Sequence, residues 1–179
     1  LNAFNESADA YQAKLNLVGS GNDLGISGHY YTKAQNGNDL DFNADIKSFA
    51  LKSIEGITFG AIRNSSGTLW GNLKINGSLT NPLIDGTLNT QELQTTLSSF
   101  NTFLRMPKEQ IRFVPGKGLS FSDFEIYDRL NRKATLDGDL ITKNFTEFAL
   151  NARFNATKWE AMNSTSKDNE ASYGRILLS

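Results

Sequence analysis

A five-residue phrase recurs along this chain: apolar, any residue, Gly, any residue, apolar. It reads Ile75-Asn76-Gly77-Ser78-Leu79, then Ile84-Asp85-Gly86-Thr87-Leu88, then Leu136-Asp137-Gly138-Asp139-Leu140, with a looser copy at Ile26-Ser27-Gly28-His29-Tyr30. Successive side chains of a strand point to opposite faces, so positions two and four apart share a face. Each phrase therefore describes a strand with one apolar face, interrupted by a residue that has no side chain. Gly at such a point leaves a gap in the apolar row, or lets another backbone or a ligand approach closely. Repetition of such strands predicts an elongated sheet rather than a catalytic cleft.

The 179 residues suffice for one domain with a core and do not demand two. A single unit over residues 1–179 is expected, because no linker interrupts the pattern. The net charge is -1, so the chain has no basic field to hold phosphates, and nucleic acid is not an expected partner. Cysteine is absent, which removes disulfides, thiolate metal sites and cysteine nucleophiles. No apolar run approaches the roughly 18 to 20 residues of a membrane helix, and no signal-peptide pattern opens the chain. A start at Leu1 rather than Met suggests a piece of something longer.

Residues 1–12 lack periodicity and are expected to fray, or to pair with sequence outside this chain. Short strands are predicted at Lys14 to Leu17 and Leu24 to Thr32, around the turn signal Gly19-Ser20-Gly21-Asn22-Asp23. A clean alternation follows at Leu40, Phe42, Ala44 and Ile46. The spacing then becomes helical at Ala50, Ile54, Ile57 and Ala61, predicting a short helix or helical turns from about Ser48 to Ile62 that close one end of the sheet. Gly56 and Gly60 weaken that helix by roughly 1 kcal/mol each.

Alternation returns from Gly67, with Leu69, Leu73, Ile75 and Leu79 on one face and Trp70, Asn72, Lys74, Asn76 and Ser78 on the other. Asn81-Pro82 turns the chain into a strand carrying Ile84, Gly86 and Leu88, which Leu93, Thr95 and Leu97 could extend. Ile111 and Phe113, then Leu119 and Phe121, flank the turn Pro115-Gly116-Lys117-Gly118. A change of phase at Phe124 to Tyr127 predicts a bulge. Ala134 to Leu140 forms one further face, and Phe148, Leu150, Ala152, Phe154 and Ala156 another. Asn163 to Glu170 reads as a loop, and Ile176-Leu177-Leu178 as a strand whose partner lies outside the chain.

Side chains that could carry chemistry are few. His29 is the only histidine and reads as a polar residue on the outward face of its strand. Asp137 and Asp139, like Asp123 and Glu125, are spaced to share a face and could bind a hard cation or act as an acid–base pair. With no third ligand or nucleophile indicated, a solvated face is the preferred reading. Arg129 to Lys133 is the one dense basic stretch and reads as a solvated turn. No catalytic residue, metal site or cofactor is assigned.

The aliphatic and Phe stripes fit either two sheets closed on each other or a trough whose apolar face stays open. A Leu or Ile left facing water forgoes about 1.5–3 kcal/mol, which a ligand covering it would recover. A lipid tail of about sixteen carbons gains on the order of 12 kcal/mol from shelter, at about 0.8 kcal/mol per buried CH₂.

The stretch Gly67 to Leu88 resembles the repeat of the AsmA-like superfamily, and within it the TamB family of translocation and assembly module subunits. Its pattern of glycines and proline falls on Gly67, Gly71, Gly77, Pro82 and Gly86. Leu119 to Asp128 and Ala134 to Leu140 are similar to the part of TamB proteins that precedes their C-terminal region. The Asn-rich composition and Asp168-Asn169 ahead of Tyr173-Gly174 resemble versions from Bacteroidetes-type bacteria. The resemblance covers about residues 38 to 175.

It implies an all-β fold of elongated, curved antiparallel sheets, a β-taco groove with an apolar interior and one short helix. It also implies a periplasmic location in a Gram-negative bacterium, in a parent protein anchored to the inner membrane. The expected work is non-enzymatic: sheltering phospholipid acyl chains between the membranes. The parent protein would also join a TamA- or BamA-like outer-membrane barrel in assembly. Expected groove-lining residues are Leu73, Ile75, Leu79, Ile84, Leu88, Phe121, Leu136, Leu140, Phe148, Leu150 and Phe154. The alternatives are a closed β-sandwich binding glycans or proteins through Trp70 and Tyr30, and an outer-membrane barrel, against which the low hydropathy argues. An enzyme is the weakest alternative.

Overall fold

The computed structural model describes residues 2–7, 9–35, 37–142, 144 and 147–179, with the side chains of residues 2–7 and 57 excluded. The fold is all-β. Its strands are β1 (Asn2–Ser7), β2 (Ala10–Gly19), β3 (Asn22–Gln35), β4 (Asn38–Ala50), β5 (Ile62–Ser78), β6 (Asn81–Leu97), β7 (Thr102–Met106), β8 (Gln110–Val114), β9 (Gly118–Tyr127), β10 (Lys133–Ile141), β11 (Ala149–Ala156), β12 (Trp159–Ser164) and β13 (Gly174–Leu178). An 11-stranded sheet runs in the order β1-β2-β3-β4-β5-β6-β7-β9-β10-β11, with β8 between β6 and β9. Neighbouring strands pair antiparallel throughout, and β12 and β13 form a separate hairpin.

Local chemistry explains the meander. At the β2–β3 turn Ser20 and Gly21 both have positive φ, 52° and 84°, the type I′ geometry that matches strand twist. Where the apolar alternation changes phase, the ladder takes up an extra residue. In β9 Asp123 sits at φ 48°, so Phe121 faces Gly138 while Phe124 faces Leu136. The Asp123 N–H, freed from the ladder, donates to Asp137 Oδ1 at 2.7 Å. In β6 Glu92 at φ 50° does the same, carrying the apolar face from Ile84, Gly86 and Leu88 to Leu93 and Leu97. Register shifts in β4 between Ile46 and Phe49, and in β5 around Ser66, lie beside it. Together they make a crease across the sheet. Along that crease β7 and β8 share the flank of β6, and the Pro107 and Glu109 carbonyls between them still accept from Glu92 N and Thr90 N at 2.8 Å each.

The β12–β13 hairpin caps one end of the sheet. Trp159, buried, meets the Phe154 ring edge-on at 5.2 Å, and Thr102 Oγ1 donates to the Ala161 carbonyl. Leu51, Leu93, Phe124, Ala134 and Met162 are buried at this same end.

Several expectations are corrected. Residues 2–7 pair with β2 as a hairpin strand, Ala3 opposite Ala13, rather than fraying or seeking an outside partner. The expected short helix is present as a 3₁₀ segment, Leu51–Ile57, and only its bounds are narrower, because β4 stays paired to β5 as far as Ala50 opposite Thr68. A helix that short has little of its own to set against a ladder. The expected loop at 163–170 begins later, since Asn163 and Ser164 belong to β12. Ile176 to Leu178 does have a partner within the chain, with Ile176 opposite Met162.

Candidate functional site

Facing residues of an antiparallel pair lie on the same side of a sheet, so the register defines rows that cross it. One row reads Leu15, Ile26, Ala44, Leu73, Gly86, Phe113, Leu119, Leu140, Leu150, passing from β2 through β6, β8, β9 and β10 to β11. Every position is apolar or glycine. The adjacent residues make the opposite row: Asn16, Gly25, Asp45, Asn72, Thr87, Arg112, Ser120, Asp139, Asn151. The sheet has one apolar and one polar face over this whole width.

The expected lining residues are gathered on the apolar face, except two. Ile75 faces Ile84, Leu136 faces Phe154, Leu88 faces Gly71, and Phe121 faces Gly138. Most of these side chains are half-buried, while Leu150 at the β11 edge is 67% exposed. Leu79 and Phe148 leave the row. Leu79 lies in the β5–β6 turn, closed by a hydrogen bond from Asn81 N to Ser78 Oγ at 3.0 Å, and Phe148 precedes β11. Both are more than half exposed.

The row also extends further than expected. Leu15, Ile26, Ala44, Phe113 and Leu119 belong to it, and the alternation in their own strands was the available signal.

Gly86 and Gly138 do not form gaps for a ligand. Their φ values are 136° and 135°, and a Cβ at either would strike the neighbouring strand's backbone, at the Asn72 and Asn151 carbonyls respectively. The close approach is sheet against sheet strand.

The charged groups serve the scaffold. Asp139 pairs with Lys117 at 2.8 Å, and this contact, then Ser120, holds its carboxyl below the usual range. Lys133 and the Tyr127 hydroxyl both bind Glu125, at 2.9 and 2.7 Å, lowering its pKa and raising that of Tyr127. His29 stacks on Tyr31 with ring centroids 5.9 Å apart. In the basic turn, Asp128 is buried. Its Oδ2 accepts from Arg132 Nε and Glu160 N, its Oδ1 from Leu130 N and Arg132 N. Burial pushes this carboxyl up, but the N–H groups of Arg132 and Glu160 and the Arg132 guanidinium together hold it below its ordinary value.

Among the described residues no group of three or more Asp, Glu or His is placed to hold a metal ion. No helix among them is long and apolar enough to cross a membrane. A separate cleft of about 800 Å³ opens on the polar side at the crease, between Trp70, Asn89, the Pro107–Gln110 segment and Arg112.

No family model, curated protein or solved structure matches this chain.

Proposed function

We propose that this chain is a non-enzymatic segment of a TamB-like, AsmA-type envelope bridge, which shelters phospholipid acyl chains on the apolar face of its sheet. The observation that carries this reading is the uninterrupted apolar row from Leu15 to Leu150. Its side chains are only partly covered, and the one other sheet among the described residues is the small β12–β13 hairpin. A second sheet of matching size, which a closed sandwich requires, is not among them. The apolar face takes acyl chains by burial alone, without directional contacts, so chains can slide along it from row to row. Headgroups remain at the rim, in water.

In this reading the parent protein is held in the inner membrane and lies in the periplasm of a Gram-negative cell. Its partner is an outer-membrane barrel of the TamA or BamA kind, linking lipid supply to outer-membrane protein assembly.

The test is native mass spectrometry of the purified chain, followed by solvent extraction and lipid analysis. Phospholipid bound in near-stoichiometric amount, and lost in Leu136→Asp and Leu150→Asp variants that remain folded, supports the reading. A clean protein mass that ignores added phospholipid overturns it.

A further inference from the structure

On the polar face of β5 a large aromatic ring, Trp70, stands among amides and charges. Trp70 is 47% exposed, on the same side of β5 as Asn72 and Lys74, and it borders the cleft of about 800 Å³ at the crease. That volume lies within the roughly 300–1,000 Å³ typical of small-molecule sites.

Next to the ring the register places Asn89 and then Gln110, one from each neighbouring strand. The two amides are tied in series: Gln110 Nε2 donates to Asn89 Oδ1 at 3.2 Å, and Asn89 Nδ2 donates to the Trp70 carbonyl at 3.4 Å. This fixes their planes and leaves Gln110 Oε1 and the second N–H of each amide for a ligand. The guanidinium of Arg112, two residues along β8 from Gln110, has no ion pair or hydrogen bond among the described residues, so its forked donors are also available. Glu109 adds a carboxylate, and Lys108 and Glu92 complete a wall in which positive and negative charges balance.

These features suit one ligand chemistry. A sugar ring has a flat C–H face that packs on indole, and a rim of hydroxyls that pair with amides, carboxylates and guanidinium forks. The balanced charge disfavours a strongly anionic or cationic ligand. The rigid backbone fits as well, because Thr90 and the Pro107–Glu109 segment lock the floor: Glu109 N donates to Thr90 Oγ1 at 2.7 Å, which donates to the Met106 carbonyl at 3.2 Å.

We propose that the cleft between Trp70 and Gln110 is a binding site for a neutral oligosaccharide of two or three residues, with Trp70 as its stacking platform. It opens on the opposite face from the apolar row, with Phe121 of β9 also at its border, and the proposal does not rest on lipid binding.

The experiment titrates the purified chain with cellotriose, maltotriose and tri-N-acetylchitotriose, following tryptophan emission and heat release. One of these trisaccharides should bind saturably, with Kd near about 1 mM or tighter. Trp70→Ala should weaken it by about tenfold or more, Gln110→Ala by about threefold, and Trp70→Phe should retain most of it. Because Trp70 is half in solvent, the Ala variant should keep its thermal midpoint and its retained lipid. Failure of all three sugars to bind at about 20 mM, or unchanged affinity in a folded Trp70→Ala variant, overturns the proposal.

Discussion

The Glu160 backbone N–H donates to Asp128 Oδ2 at 2.9 Å across a separation of 32 positions, joining the β12–β13 hairpin to the turn between β9 and β10. The same carboxylate receives Arg132 Nε at 2.7 Å, so a single buried side chain organises its own turn and anchors the cap of the sheet. Asp128→Asn should therefore destabilise the protein by about 2–4 kcal/mol, from a buried network left partly unpaired. Because the folded carboxyl titrates below its ordinary value, its contribution is complete above the unfolded pKa of about 3.9 and fades as pH falls through the lower, folded one. Urea unfolding at pH 7 and pH 3 should show a smaller loss between the two pH values in the variant than in the parent.

Gly86→Ala and Gly138→Ala should each cost about 2–4 kcal/mol, because the new Cβ meets the next strand's backbone at a φ that L residues avoid. Gly37→Ala is the control. Its φ is 81° with nothing within 4 Å, so only the backbone penalty of about 1–2 kcal/mol applies. Chemical denaturation of the three variants should separate the two causes.

Trp159 supplies the cap with its largest apolar surface, yet its buried indole N–H has no partner among the described residues. Trp159→Phe should be nearly neutral, within about 1.5 kcal/mol, since lost packing is offset by removal of the unpaired donor. Trp159→Ala should cost about 3–5 kcal/mol. A thermal midpoint for the Phe variant that falls as far as that of the Ala variant would refute this account.

Leu150→Asp places a charge on the exposed end of the apolar row. Stability should change by about 1 kcal/mol or less, while phospholipid carried through purification should fall sharply. Thin-layer chromatography of extracts from parent and variant reads the outcome directly.

Much of the sheet was legible in the sequence because period-two patterning is local. Leu40, Phe42, Ala44 and Ile46 announced β4, and the shifted phase at Phe124 announced the bulge that Asp123 makes. What escaped depended on distant partners. Nothing near Ile176 says that Met162 will lie opposite it, and nothing within Asn2 to Ser7 says that the segment will pair with β2. The face of the candidate site was readable for the same reason as the strands, but its ends were not. Leu79 continues the alternation on paper and yet sits in a turn, because Ser78 and Asn81 bond each other one step earlier. The Trp70 cleft was hidden more deeply, since it arises where irregularities in β4, β5 and β6 align, and Glu92 is not a residue type that advertises a bulge.

The bulges at Glu92 and Asp123 give the sheet something like a reading frame of two. An insertion or deletion of one residue within a strand inverts every side chain up to the next turn, sending leucines into water and aspartates into the apolar row. A change of two residues keeps the frame. Each bulge acts as a suppressor that restores phase midway along a strand: with Asp123 deleted, Phe121 and Phe124 stand two apart and keep one face, whereas an Asp123 forced into extended pairing would turn Phe124 and Ile126 outward with no apolar residue touched.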